Sequence, residues 1–166
     1  MRALVLFLLI ITALLLQSTV FTYLQVAGVK PDLLLMLVVF NGFLRGSREG
    51  AFLGFLAGLA QDIFTGNYIG LNALTKMAAG YLVGLAEARF FKESAILVSL
   101  FTMFVGVANQ VLYYLLLYYL HVEVSPYYAV IQVIIPSAIY TGLLVPLSYW
   151  KFYSSNEEGW LRQRDY

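Results

Sequence analysis

Few side chains in this sequence could do chemistry, and two stand out: Asp62 and Lys76, each inside an otherwise apolar stretch. A carboxylate and an amine in such a setting can pair, or can line a substrate or proton path. Pairing ranks first, because a lone charge at the centre of a membrane span costs about 2.5–3.5 kcal/mol. A relay ranks below it, since one acid and one base do not make a chain. Two simpler uses stay open: Asp62 could cap the turn at residues 65–67, and Lys76 could snorkel outward to water. The other polar residues in apolar runs are Gln17, Asn41, Asn109, Gln110 and Gln132. Interhelical hydrogen bonds, on the order of 0.6–2 kcal/mol each, account for them. For Asn109 and Gln110 a polar ligand pocket is the sharper alternative.

Conventional active-site chemistry is not in sight. The sequence has no cysteine and one histidine, His121, so thiolate sites, disulfides and multi-histidine metal sites are excluded. No G-x-S-x-G elbow, H-E-x-x-H pair or phosphate-binding G-x-x-x-x-G-K-[ST] occurs. Glu49, Glu87 and Glu93 flank predicted inner loops, Glu157 and Glu158 lie in the tail, and His121 and Glu123 read as a solvated outer loop. The expectation is no enzyme, no metal and no cofactor.

The elements that must position Asp62 and Lys76 follow from composition. Of 166 residues, 61% are hydrophobic and 11% charged, against roughly 25% charged in a soluble domain. A soluble fold of this size cannot hide so much apolar surface, so lipid is its solvent. The apolar run after Met1-Arg2 resembles a signal peptide but continues to Phe21 without a small-x-small site, and reads as an uncleaved first span. Six spans are predicted: Ala3–Tyr23, a second from Lys30-Pro31-Asp32 through Leu44, Gly50–Thr65, Leu71–Ala86, Ser94–Leu120 and Tyr128–Trp150. Pro31 and Asp32 suit a first helical turn, and Pro136 and Pro146 predict kinks in the sixth span. The expected organisation is all-α, with a six-helix transmembrane domain over 1–150 and a short cytoplasmic tail over 151–166.

Arg2, Arg45, Arg48, Arg89, Lys92, Lys151, Arg162 and Arg164 all fall on the side of the N-terminus, and only Lys30 falls in an opposite loop. The positive-inside rule then places both termini in the cytoplasm. Arg45 and Arg48 form a tight cytoplasmic turn expected to meet lipid phosphates at the membrane surface. Tyr23, Tyr68, Tyr118, Tyr119, Tyr127 and Tyr128 form the predicted outer aromatic belt, and Phe90, Phe91, Tyr149, Trp150 and Tyr153 the inner one.

The segment from Gly50 to Gly84 carries two stripes at four-residue spacing. One is Gly50, Gly54, Gly58 and Asp62; the other is Asn72, Lys76, Gly80 and Gly84. Residues four apart share a helix face, and small residues there let two helices approach closely in lipid. An antiparallel hairpin centred near Asn67 sets Gly50 against Gly84, Gly54 against Gly80, Gly58 against Lys76 and Asp62 against Asn72. Side chains lean toward their own helix N-terminus, which brings Asp62 and Lys76 toward one level as an expected salt bridge.

Pro31-Asp32-Leu33, Arg48-Glu49-Gly50, Gly54-Phe55, Gly58-Leu59, Asp62, Gly66 and Gly70-Leu71, in that order, resemble the bacterial rod shape-determining MreD family. Gln17-Ser18-Thr19 followed by Phe21 resembles it too. Lys76 is not part of that pattern. The resemblance implies a non-enzymatic inner-membrane scaffold of the peptidoglycan elongation machinery. Its implied partners are MreC, a bitopic protein, with MreB, RodA, the elongation penicillin-binding protein and membrane lipids, and no nucleic acid. It also implies a fold similar to the six-helix substrate-binding components of energy-coupling-factor vitamin transporters. That likeness supplies an alternative function, a vitamin-capturing component, although the Ala-x-x-x-Ala docking pattern of those proteins is absent from the first span. By elimination, the fifth and sixth spans are the candidate partner faces.

Overall fold

The structure, a computed structural model, describes residues 2–25, 28–66, 68–86, 95–122 and 125–157. Its elements are helical throughout: α1 (Arg2–Ser18), α2 (Val20–Tyr23), α3 (Leu33–Arg45), α4 (Ser47–Thr65), α5 (Leu71–Leu85), α6 (Ala95–Tyr119), α7 (Pro126–Tyr128), a π-helical segment (Ala129–Ile134) and α8 (Ile135–Glu157). Three stretches are long and apolar enough to cross a membrane: Leu4–Tyr23, Ala95–Tyr119 and Pro126–Trp150. Leu33–Arg45 is apolar but shorter.

α3 is the hub. Ten of its thirteen residues are buried, and it packs against α1, α4, α5, α6 and α8. Protein, not lipid, covers its apolar side chains, so its shortness carries no exposed mismatch. Asp32 caps its start by accepting from the Leu35 N–H at 2.9 Å. Gly46, at φ +87°, ends it and in the next residue starts α4, a joint that a side chain would strain.

α4 and α5 form the closest helix pair, in the hairpin expected from the glycine stripes. The register is one turn away from that expectation. A Cβ built on Gly50 meets the Gly80 carbonyl, one on Gly54 meets the Lys76 carbonyl, and one on Gly58 meets the Asn72 carbonyl. Gly84 lies instead on the α3–α4 joint, against Gly46 and Ser47. The pairings of Gly50 with Gly84, Gly54 with Gly80 and Gly58 with Lys76 are therefore corrected. The turn is the cause. Gly66 closes α4 in the left-handed region at φ +68°, and α5 restarts only after Gly70 at φ +104°. The chain folds back so that the start of α5 is drawn beside the Asp62 carboxylate.

α3 also joins this contact through a residue the stripes did not include. Gly42 brings its Cα within 2.8 Å of a Cβ built on Gly50, and its own built Cβ would lie 3.0 Å from the Gly80 carbonyl. Three helices meet where three glycines meet. α6 and α8 form a second close pair, in which Ser99 donates to the Gly142 carbonyl at 2.6 Å and Gly106 faces Ala138.

The sixth span behaves differently from a simple kinked helix. After the short α7 it is π-helical over Ala129–Ile134, and Pro136 is the second residue of the α8 that follows. A wider turn suits a residue whose ring clashes with the preceding turn and which has no N–H to donate. Pro146 sits inside α8. α8 runs to Glu157, so seven residues assigned to the cytoplasmic tail are helical. Tyr149 departs from the inner belt: it is 2% exposed and packs edge-on against Phe40 at 5.1 Å between ring centres. The outer tyrosines at positions 23, 68, 118, 119, 127 and 128 are exposed. Arg89, Lys92, Phe90, Phe91, Arg162 and Arg164 lie outside the described residues, as do the side chains of Arg2, Lys151 and Tyr153.

Candidate functional site

Buried Asp32, Asp62, Lys76, Ser137 and Thr141 gather at one end of the bundle, where α3 and α5 begin and α4 ends. Lys76 is fully buried, five residues into α5. Its ammonium donates to Asp32 Oδ2 at 2.6 Å, forming a salt bridge between α5 and the cap of α3. The expected pair of Lys76 with Asp62 is thus replaced by Lys76 with Asp32. The lean of the side chain is as argued, toward the N-terminus of α5, but α3 rather than α4 supplies the acid there.

Asp32 is bound on three sides. One carboxylate oxygen takes the Leu35 N–H, the other takes Lys76, and its backbone N–H donates to Thr141 Oγ1 on α8 at 2.8 Å. The Thr141 hydroxyl in turn donates to the Ser137 carbonyl at 2.7 Å. One residue thereby ties α3, α5 and α8 together. The ion pair satisfies the cost of placing each charge away from water, which neither could meet alone.

Asp62, 2% exposed, serves a different purpose. Its carboxylate accepts from the N–H groups of Gly70, Asn72 and Ala73 at 2.8, 3.2 and 3.1 Å and from the Asn72 side-chain amide at 2.8 Å. The first N–H groups of a helix have no partner within it, and an anion at that end also meets the positive end of the helix dipole. Asp62 is the cap of α5, provided by the preceding helix. Of the predicted contacts of Asp62, the one with Asn72 is present and the one with Lys76 is not. Asp62→Ala is expected to cost about 1–3 kcal/mol by stranding these donors, and amide exchange at Gly70, Asn72 and Ala73 should accelerate selectively.

The arrangement leaves little for reaction chemistry. Both carboxylates and the ammonium make bonds that hold helices together. Among the described residues no group of three His, Cys, Asp or Glu is placed to hold a metal ion. At the opposite end, Arg48 is exposed and Arg45 is half-buried and partnered. Asn109 is 4% exposed, and its Oδ1 finds no hydrogen-bond donor among the described residues.

Asp32, Gly42 and Thr141 were not identified as a cluster in the sequence. Asp32 carried one signal, its position behind Pro31 at a helix start, and that signal accounts only for its capping oxygen. Nothing in the spacing of residues 32 and 76 reveals that their helices touch.

A family model described as rod shape-determining protein MreD matches residues 1–154. Comparison with curated proteins and with solved structures gives no match.

Proposed function

The chain belongs to the family of the rod shape-determining protein MreD, and from that premise we propose that it is a scaffold of the cell-elongation machinery that holds the membrane anchor of MreC. Membership makes it a shape-determining membrane protein of a family not known for catalysis. The observation that favours a scaffold is the use made of its buried charges. Asp32, Lys76 and Asp62 are all consumed in bonds between helices. A transporter or an intramembrane enzyme needs such groups to be free for a substrate or a proton.

The topology we assign has six spans, α1 with α2, α3, α4, α5, α6, and α7 through α8, with both termini in the cytoplasm of a bacterial inner membrane. The placement of arginine and lysine in the sequence supports that orientation. RodA, the elongation penicillin-binding protein and MreB are further partners in this reading. The vitamin-transporter alternative rests on fold analogy, which does not choose a function.

Co-purification of the chain with MreC, with photo-crosslinkers scanned along each helix, tests the scaffold. Crosslinks to one bitopic protein, confined to one face, are the expected result. A preparation that carries no bitopic partner but retains a tightly bound small molecule would sink the reading.

A further inference from the structure

α1 touches its neighbours sparingly, and the space it leaves against α3 and α4 is a groove of about 610 Å³. Ile10 and Ile11 on one wall and Phe52 and Leu56 on the other make its length apolar. Three polar residues line it as well: Asn41, Arg48 and Glu49. From Glu49 to Ala60, both lining residues, the groove follows α4 for eleven residues, about 16 Å at 1.5 Å per residue. The hydrocarbon core is about 30 Å thick, so this is the depth of one leaflet.

The polar end has the character of an anion site. Arg48 is exposed and makes no ion pair or hydrogen bond among the described residues, whereas Glu49 beside it already has a partner. α4 begins on the same side, and the positive end of its dipole adds to the arginine charge, while Gly46 and Ser47 themselves pack against Gly84 of α5. Asn41 is an independent observation: it is 3% exposed, lines the groove, and its side chain makes no hydrogen bond among the described residues. Its amide opens onto the groove, where a ligand headgroup would be its hydrogen-bond partner.

We propose that this groove is a binding site for one anionic phospholipid, its phosphate held by Arg48 and Asn41, and an acyl chain lying between α1 and α4. A partner helix is the competing occupant; an exposed arginine without an ion pair, at one end of an apolar groove one leaflet deep, suits an anionic headgroup with its acyl chain instead. Assigning the lipid to the inner leaflet rests on the orientation proposed above; the site itself does not.

Native mass spectrometry of the purified full chain in detergent tests the site, titrated with phosphatidylglycerol or with phosphatidylcholine of the same acyl chains. The expected result is one retained phosphatidylglycerol, preferred about five-fold or more over phosphatidylcholine. Arg48→Gln should bring that preference close to unity. Ile11→Trp and Leu56→Trp, which fill the groove from opposite walls at positions already partly exposed, should reduce retention of both lipids about ten-fold. Should neither tryptophan variant fold, the Arg48→Gln preference decides alone. Preference unchanged by Arg48→Gln means annular lipid only and overturns the site. Retention unchanged in well-folded tryptophan variants does the same. No partner protein is present in the titration, so failure of the scaffold reading leaves its outcome unaffected.

Discussion

Lys76→Met lowers the stability of the folded chain by roughly 3–5 kcal/mol, the loss expected when one partner of a buried ion pair is removed. Methionine keeps the volume and flexibility of the lysine stem, so packing against α3 changes little. What remains is Asp32, 6% exposed, with one carboxylate oxygen still on the Leu35 N–H and the other facing no cation. The background in which the substitution is made identifies the partner. In Asp32→Asn the loss on Lys76→Met should shrink to about 1 kcal/mol or less, because no anion is left stranded. In Asp62→Asn it should stay at its full size, because Asp62 is bound to the start of α5 and not to Lys76. Equilibrium unfolding of the purified protein in mixed micelles measures all six chains. A cycle that closes through Asp62 rather than Asp32 would contradict the arrangement described here. Removing the whole pair is expected to be milder than removing one partner, since buried ion pairs contribute more to specificity of arrangement than to net stability in several systems.

Gly80→Ala is the second large effect. A methyl group at Gly80 would collide with the Gly50 carbonyl on α4 and would lie 2.9 Å from Val38 Cγ1 on α3. The first obstacle is backbone, which cannot rotate away, and α4 is also in close contact with Gly42 of α3 at the same point. Overpacking costs about 1–3 kcal/mol when side chains can adjust, and this site belongs at or above the upper end. Helix propensity works in the opposite direction, by about 1 kcal/mol in favour of alanine. Gly106→Ala separates the two effects. There the nearest atom is Ala138 Cβ at 3.4 Å, an ordinary contact, so the propensity gain should dominate and the variant should be neutral to slightly more stable. Thermal unfolding of the two variants side by side checks the contrast. Equal effects at Gly80 and Gly106 would show that close approach of α3, α4 and α5 is not what fixes glycine at position 80.

Much of the fold is readable from composition and spacing. Helices arise near the predicted boundaries because apolar runs in lipid must satisfy their backbone internally, and the breaks fall at Gly46, Gly66 and Gly70, where φ is positive. The stripe of small residues announces that α4 and α5 lie close together, since few other pressures place glycine every four residues in a helix. Tyr149 illustrates the limit. An aromatic next to a polar tail has the same sequence signature whether it stays exposed, as Trp150 does, or turns inward onto Phe40.

The sequence by itself determined that the chain is helical and apolar, that Asp62 and Lys76 need partners, and that two particular helices form a hairpin. These are local facts, fixed by the cost of an unpaired charge and by the period of a helix. Only the tertiary structure decided which partner each charge takes. A one-turn change in the hairpin register moves every facing pair by four residues, and that register is set by the turn and by the cap that Asp62 gives to α5. The third helix decided the rest. With α3 inserted beside the hairpin, Asp32 reaches Lys76 across forty-four residues of sequence, and no spacing rule within one helix or one hairpin contains that contact.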